Sequence, residues 1–268
     1  FMPANGRLRY HCSAAQPGWA ASSASTYAQA AALFCGGGSQ TAMSSTIEAV
    51  TIAVDGSVHV SGLLQRPPEP RACYVLAHGA GAGMTHPFMA AVAAGLAERG
   101  LATLRFQFPY MEKGGKRPDP PKPAQATVRA AVAEAAKLLP HLPLIAGGKS
   151  FGGRMTSQAQ AAAPLPDVRG LAFLGFPLHI AGHPSQDRAR HLFDVRIPML
   201  FLQGTRDRLA SVDQLEALCG ALGEHATLKL FDDADHSFHV PARSGRKDAQ
   251  VLSEVLDALV AWTDGIVR

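Results

Sequence analysis

The chain has 268 residues, of which 47% are apolar, enough to bury the core of one α/β domain of ordinary size. Its net charge of +4 is small, and its basic residues form only short clusters, such as the one at 113–117, which argues against nucleic-acid binding. Charges or prolines interrupt every apolar run before it reaches the length of a membrane span. We therefore expect a soluble, cytoplasmic protein without a nucleic-acid or membrane partner.

The four cysteines are widely spaced, and no two of them form a CxxC pair. A chain of this size does not need disulfides to be stable. We predict that Cys73, which begins a strand, and Cys219, on an amphipathic helix, are buried thiols; the other two are Cys12 and Cys35. Because no group of His, Cys and acidic residues has metal-ligand spacing, we predict no metal and no other cofactor.

Residues 1–42 differ from the rest of the chain, since they are rich in Ala, Ser and Gly and include no acidic residue. They show no sustained helical or strand period, so we predict a disordered or non-native leader, with Met43 as a candidate natural start. The apolar stretch 28–34 is too short for a signal peptide. The predicted folded domain is therefore residues 43–268.

The predicted domain opens with a β-hairpin, in which strands at 50–54 and 58–64 flank the turn Asp55-Gly56. The continuous apolar run 73–77 that follows is typical of a strand buried on both faces. Further strands are predicted at 101–106, 142–146, 171–176, 198–203 and 227–231, and helices at 87–99, after 123, at 151–163, after 211 and around 252–259. This alternation predicts a mostly parallel sheet with helices on both faces, preceded by an antiparallel hairpin.

A serine stands at the tip of a predicted strand, turn and helix, in the pentapeptide GKSFG at 148–152. Glycines two positions before and after Ser150 let the two backbones approach closely, which strains the serine and pushes its hydroxyl out above the sheet. Two alternatives are open. In the first alternative, Ser150 is a simple helix N-cap. In the second, the segment is a phosphate-binding loop, although Pro143 stands where that loop requires glycine.

A serine hydroxyl becomes nucleophilic when a histidine takes its proton and a carboxylate orients that histidine. Asp207 and His236 each follow a later predicted strand, and functional residues of such sheets gather at the carboxyl ends of strands. We predict these two as the partners of the serine. His239 is an alternative base, and Asp233 or Asp235 an alternative acid.

Acyl transfer also needs donors for the oxyanion, and we predict the backbone N–H groups of Phe151 and Ala80. The second donor lies in a glycine-rich loop, where Gly79 and Gly81 let the backbone turn toward substrate. A dinucleotide fingerprint is the rival interpretation of that loop, but Met84 occupies the place of its third glycine.

Four residues are predicted to contact substrate: Gly79, Gly81, Tyr110 and Lys149. For Tyr110 the alternative is core packing, and for Lys149 it is a solvated side chain or one bonded to a loop. We expect His78 to pack within its loop rather than to take part in chemistry.

Five motifs in order resemble the dienelactone-hydrolase-like branch of the α/β-hydrolases, and in particular a group with a testis-expressed protein and a subunit of a chromatin acetyltransferase complex. They lie at 76–84, 105–112, 147–155, 201–207 and 235–238. The resemblance implies an α/β-hydrolase fold and a triad of Ser150, Asp207 and His236. Dienelactone hydrolases have a cysteine in place of Ser150, so their substrate is not implied.

The sequence thus predicts a serine esterase whose partner is a small-molecule ester. Only residues 177–197 separate two consecutive strands where lipases carry a large lid, so we expect a minimal lid, formed by a loop, and short-acyl substrates. A non-catalytic binding module with this fold and an acyltransferase with the same triad are the alternatives. The oligomeric state is not predicted.

Overall fold

The computed structural model of the protein describes residues 45–183 and 185–267. The leader predicted over residues 1–42, together with Cys12 and Cys35, lies outside this part of the chain.

The described residues alternate between strands and helices, as the sequence predicts. The strands are β1 (Thr46–Ala53), β2 (His59–Arg66), β3 (Ala72–Ala77), β4 (Leu101–Phe106), β5 (Leu144–Lys149), β6 (Val168–Leu174), β7 (Met199–Gly204) and β8 (Ala226–Phe231). The α-helices are α1 (Pro87–Glu98), α2 (Pro109–Glu112), α3 (Pro121–Leu138), α4 (Phe151–Ala162), α5 (Val212–Leu222) and α6 (Asp248–Ile266). Short 3-10 helices cover Asp187–Asp194, Gly223–His225 and Ala242–Ser244.

The eight strands form one sheet in the order β1-β2-β4-β3-β5-β6-β7-β8. The predicted hairpin is confirmed: β1 and β2 are antiparallel, and the side chain of Asp55 accepts hydrogen bonds from Ser57 N and Val58 N in the turn between them. β2 is also antiparallel to β4, whereas all the other neighbouring pairs are parallel. The carboxyl ends of β3, β5, β7 and β8 therefore meet at one edge of the sheet.

The core has two layers because successive side chains of a strand point to opposite faces of the sheet. On β3, Cys73 and Val75 pack in one layer, and Tyr74 and Leu76 in the other. The first layer includes residues of α3, α4 and α5, and the second includes residues of α1 and α6. Both faces are thus covered by helices, as predicted for an α/β-hydrolase fold.

Two segments predicted as loops contain helices. Helix α2 and the start of α3 at Pro121 lie in the region expected to be irregular through residue 123, because proline is compatible with the first turn of a helix. Within the predicted loop 177–197, Asp187–Asp194 forms a 3-10 helix that buries Ala189 and Leu192, three positions apart as its period requires.

Cys73 and Cys219 are buried free thiols, as predicted, and desolvation raises the pKa of Cys73 to about 12 and that of Cys219 to about 11. Helix α5 begins at the predicted cap, where Ser211 Oγ accepts a hydrogen bond from Gln214 N. Across residues 45–183 and 185–267, no helix combines the length and the apolar character that a membrane crossing requires.

Candidate active site

Ser150 lies in a sharp turn between β5 and α4, with a φ of 52° that is uncommon outside glycine. A Cβ on Gly148 would come within 2.2 Å of the carbonyl oxygen of Ala77, and one on Gly152 within 2.5 Å of the same atom. Glycine is therefore required on both sides of Ser150, because, as predicted from the sequence, the backbones approach too closely there for a β-carbon. The turn places Ser150 at the carboxyl end of β5 and beside the end of β3.

Two consecutive hydrogen bonds connect three side chains from separate loops. Ser150 Oγ is 2.9 Å from Nε2 of His236, and Nδ1 of the same imidazole is 2.6 Å from Oδ2 of Asp207. Since a carboxylate can only accept, Nδ1 carries the proton, which leaves Nε2 free to accept the proton of the serine hydroxyl. The structure brings together the three residues that the sequence proposes as nucleophile, base and acid, and their catalytic roles stay predictions.

Asp207 is buried at the carboxyl end of β7, and its acceptors are well satisfied. Oδ1 accepts from Leu209 N at 2.8 Å, while Oδ2 accepts from Nε2 of Gln203 as well as from His236. Gln203 in turn accepts from Phe176 N at 2.8 Å, so it fixes the carboxylate against the end of β6. Sequence reasoning missed Gln203; a polar residue at the end of an otherwise apolar strand was the available signal.

The alternative acids and the alternative base lie elsewhere. Asp235 accepts from Ser237 N and His239 N and so holds its own turn together. Asp233 occupies a left-handed position in the preceding turn of this loop, with a φ of 59°. His239 is exposed and pairs with Asp248 at 2.8 Å, which raises the pKa of the imidazole through the hydrogen bond to that carboxylate.

The predicted oxyanion donors lie on two sides of the serine. Phe151 is the first residue of α4, where a backbone N–H has no acceptor within the helix. The loop after β3 passes next to Ser150, since a Cβ on Gly79 would be 3.8 Å from the Cβ of the serine. Ala80 follows Gly79 in that loop, and the oxyanion role of Ala80 and Phe151 stays a prediction.

Tyr110 and His78 form hydrogen bonds that stabilise this loop. The hydroxyl of Tyr110 accepts a hydrogen bond from Gly81 N at 3.2 Å, and its side chain is only 6% exposed. His78 is fully buried, with Nε2 accepting from Phe108 N at 3.1 Å, and burial lowers the pKa of its imidazole. His78 thus packs within the fold, and the substrate contacts predicted for Tyr110, Gly79 and Gly81 stay predictions.

Lys149, the residue before Ser150, is directed at the loop of the candidate base. Its ammonium Nζ donates to the backbone carbonyl oxygen of His236 at 2.5 Å and lies 5.8 Å from the centroid of the Phe238 ring. One of the two alternatives weighed from the sequence, a lysine bonded to a loop, is what the structure contains. No group of three metal-ligating side chains that could hold an ion occurs among the described residues.

Three solved structures similar to this chain share the fold. A dienelactone hydrolase from Anabaena variabilis is 23% identical, with a TM-score of 0.68 over 84% of this chain and 99% of its own. An α/β serine hydrolase without lid from Xanthomonas campestris is 21% identical, with a TM-score of 0.62 over 82% and 95%. A cold-adapted esterase from an Arctic intertidal metagenomic library is 20% identical, with a TM-score of 0.61 over 84% and 96%.

The predicted resemblance to dienelactone-hydrolase-like proteins is confirmed by these matches and by a family match over most of the domain. Residues 70–264 match the family described as the alpha/beta hydrolase domain. That range includes β3 to β8 and all three members of the hydrogen-bonded line from Ser150 to Asp207. The chain therefore belongs to the α/β-hydrolase domain family.

Proposed function

We propose that the protein is a serine hydrolase of carboxylic esters that acts through Ser150, His236 and Asp207. The observation that carries this proposal is the unbroken hydrogen-bonded line from the serine hydroxyl through the imidazole to a buried carboxylate. An esterase and a serine hydrolase are among the proteins with a similar fold, which favours the same class of reaction. The strained serine turn adds support, because it is the geometry of a nucleophile elbow.

In the first half of the reaction, Ser150 Oγ attacks the ester carbonyl carbon while its proton moves to Nε2 of His236. The carboxylate of Asp207 stabilises the imidazolium that forms and keeps the ring oriented. Negative charge develops on the former carbonyl oxygen, where the N–H groups of Phe151 and Ala80 would donate to it. The tetrahedral intermediate then collapses, His236 returns the proton to the departing alcohol, and an acyl-serine ester remains.

In the second half, water takes the place of the alcohol. His236 accepts a proton from the water as its oxygen attacks the acyl carbon, and the same two N–H groups receive the second oxyanion. Collapse of this intermediate releases the carboxylic acid and returns the proton to Ser150 Oγ. The proton transfers between Ser150 and His236 follow a hydrogen bond that is already present, so they need little reorganisation.

The segment between β6 and β7 favours small substrates. Its 3-10 helix is packed on the body of the domain, where Ala189 and Leu192 are buried and Nε2 of His191 lies 2.7 Å from Ser157 Oγ on α4. A segment held by buried side chains is suited to be a fixed wall rather than a mobile cap. A long acyl chain would gain about 0.8 kcal/mol for each methylene group only where an apolar groove buries it.

We predict a preference for short acyl chains in a series of 4-nitrophenyl esters. The kcat/KM for the acetyl or butyryl ester should exceed that for the palmitoyl ester by roughly tenfold or more, because a fixed segment gives the extra methylene groups little apolar surface to bury. Release of nitrophenolate, measured below the critical micelle concentration of each ester, provides the comparison. A preference for palmitoyl would contradict the short-acyl assignment, and no hydrolysis of any ester would contradict the proposed function.

A further inference from the structure

Lys149 runs through a narrow passage between loops of the candidate site. A Cβ on Gly79, in the loop after β3, would stand 3.4 Å from Lys149 Cγ, and one on Gly175, just after β6, would stand 2.8 Å from Lys149 Nζ. The first distance is an ordinary van der Waals contact, whereas the second is too short, so the lysine needs the missing side chain at Gly175. The Cβ on Gly175 would also lie 3.3 Å from Nδ1 of His236, so the passage ends directly beside the imidazole.

The ammonium group of Lys149 meets the backbone of the turn that carries His236. It donates to the carbonyl oxygen of His236 at 2.5 Å and faces the ring of Phe238, which has a strained φ of 63°. The turn itself is short, with Asp235 N donating to the carbonyl oxygen of His239 at 2.9 Å. Lys149 therefore connects the turn of Ser150 to the backbone of the turn of His236, in addition to the hydrogen bond between Ser150 and the imidazole.

This placement is unfavourable for the ammonium group itself. Desolvation lowers the pKa of Lys149 to about 8, although the nearby charges of Asp207 and Asp235 act in the opposite direction. A methionine of similar length would fill the same passage without a charge to desolvate. Packing alone thus does not explain a lysine at this position, whereas its hydrogen bond to His236 does.

We propose that Lys149 is a positioning residue, whose ammonium group anchors the backbone of His236 and so holds the imidazole within hydrogen-bonding distance of Ser150. The role rests on the proposed hydrolysis and differs from the substrate contact expected from the sequence. Lys149 is adjacent to Ser150 in the chain, so its hydrogen bond fixes the separation between nucleophile and base. A displacement of about 1 Å at such a site can lower the rate by roughly a hundredfold.

The first test compares wild type with Lys149→Met, using Lys116→Met in an exposed loop as the matched control. For 4-nitrophenyl acetate we expect kcat to fall by roughly 10- to 100-fold while KM changes by less than about threefold, because Lys149 acts through His236 and not through the ester. At pH 7 the melting temperature should change by no more than about 4 °C, because removal of the desolvated charge stabilises the variant while loss of the hydrogen bond to the carbonyl oxygen of His236 destabilises it. The control variant Lys116→Met should leave kcat, KM and the melting temperature unchanged.

The pH dependence of stability tests whether the ammonium group of Lys149 is desolvated in the folded protein. Because the pKa of Lys149 is lowered to about 8 in the folded protein, the unfolded chain binds more protons between pH 8 and the ordinary lysine value of about 10.5. Wild type should therefore gain stability relative to Lys149→Met over that interval, so the melting temperature of wild type minus that of the variant should increase with pH. The buried thiols of Cys73 and Cys219 have raised pKa values and so destabilise the folded state at high pH. Their contribution is the same in wild type and in Lys149→Met, so it cancels when the two proteins are compared.

Chemical rescue separates the ammonium group from the shape of the side chain. In Lys149→Cys, alkylation of the introduced thiol with 2-bromoethylamine releases bromide and forms a thioether that restores an ammonium group at nearly the length of lysine. We expect Lys149→Cys to be as impaired as Lys149→Met and to regain most of its kcat after alkylation. Wild type treated in the same way controls for reaction at its own cysteines.

A proton NMR readout keeps this role distinct from the proposed esterase activity. The proton in the short hydrogen bond from Nδ1 of His236 to Asp207 should give a downfield resonance. We expect Lys149→Met to broaden or shift this resonance and Lys116→Met to leave it unchanged. An unchanged resonance in Lys149→Met, or a loss of activity confined to KM, would overturn the positioning role even if the esterase proposal stands. Absence of hydrolysis in wild type would refute the esterase proposal, and the resonance would still decide the role of Lys149.

Discussion

Replacement of Asp207 by asparagine should lower kcat for a short 4-nitrophenyl ester by about 10⁴-fold while leaving the protein folded. The carboxylate accepts a hydrogen bond from Nδ1 of His236 at 2.6 Å and further hydrogen bonds from Leu209 N and Gln203. An amide NH₂ facing the imidazole would donate instead of accept, which favours the tautomer with its proton on Nε2. That nitrogen could then no longer take the proton of Ser150, so the loss should fall on kcat rather than KM.

The matched control for this substitution is Asp233→Asn. Asp233 lies in the same loop as His236, one turn earlier, and its φ of 59° is a conformation that asparagine also adopts, so the loop should be preserved. We expect its kcat to stay within about threefold of wild type. A decrease in kcat of less than about tenfold in Asp207→Asn would show that Asp207 is not the acid. The same would follow if kcat decreased more in Asp233→Asn than in Asp207→Asn.

Ser150→Ala should reduce hydrolysis by at least about 10³-fold, because the acyl-enzyme can no longer form. Serine and alanine both carry a Cβ, so the strain at a φ of 52° is the same in both proteins. The variant should therefore fold, and its circular dichroism spectrum and melting temperature should be close to those of wild type. Residual activity would come from the oxyanion donors and from binding alone.

Ser157→Ala is the control because Ser157, on α4, also lies next to an imidazole. Its hydroxyl is 2.7 Å from Nε2 of His191, but burial and the charge of Arg154 lower the pKa of that histidine to about 4, against the opposing charge of Asp194. Such a weakly basic imidazole is poorly suited to take a proton from serine at neutral pH. Hydrolysis by Ser157→Ala should stay within a few-fold of wild type, and retention of a tenth of the activity in Ser150→Ala would contradict the assignment of the nucleophile.

The sheet and the serine turn could be predicted from the sequence because their signals are local. The run 73–77 is continuously apolar since both faces of β3 are buried, and the two glycines around Ser150 are needed where the backbones touch. The order of Ser150, Asp207 and His236 followed from the strands that precede them. Those features depend on residue type within a few positions, which a single sequence displays directly.

The missed features depend on contacts between distant parts of the chain. Gln203 is only four positions from Asp207, but its amide is oriented by Phe176 N, which comes from the segment after the neighbouring strand β6. Lys149 reaches His236 through space that Gly175 leaves open. The helical start at Pro121 was missed for a different reason, since proline was taken as a loop signal although it also begins helices. Sequence reasoning thus identified the candidate nucleophile, acid and base but not the side chains that hold them.

Covalent labelling by a fluorophosphonate, followed by peptide mass spectrometry, tests most directly whether Ser150 is an activated nucleophile. The hydrogen bond from its hydroxyl to Nε2 of His236, which Asp207 orients, predicts one adduct on Ser150 in wild type. Labelling should be absent in Ser150→Ala and much slower in Asp207→Asn. A folded wild-type protein that forms no adduct, or one that is labelled at another serine, would contradict the proposed catalytic role of Ser150.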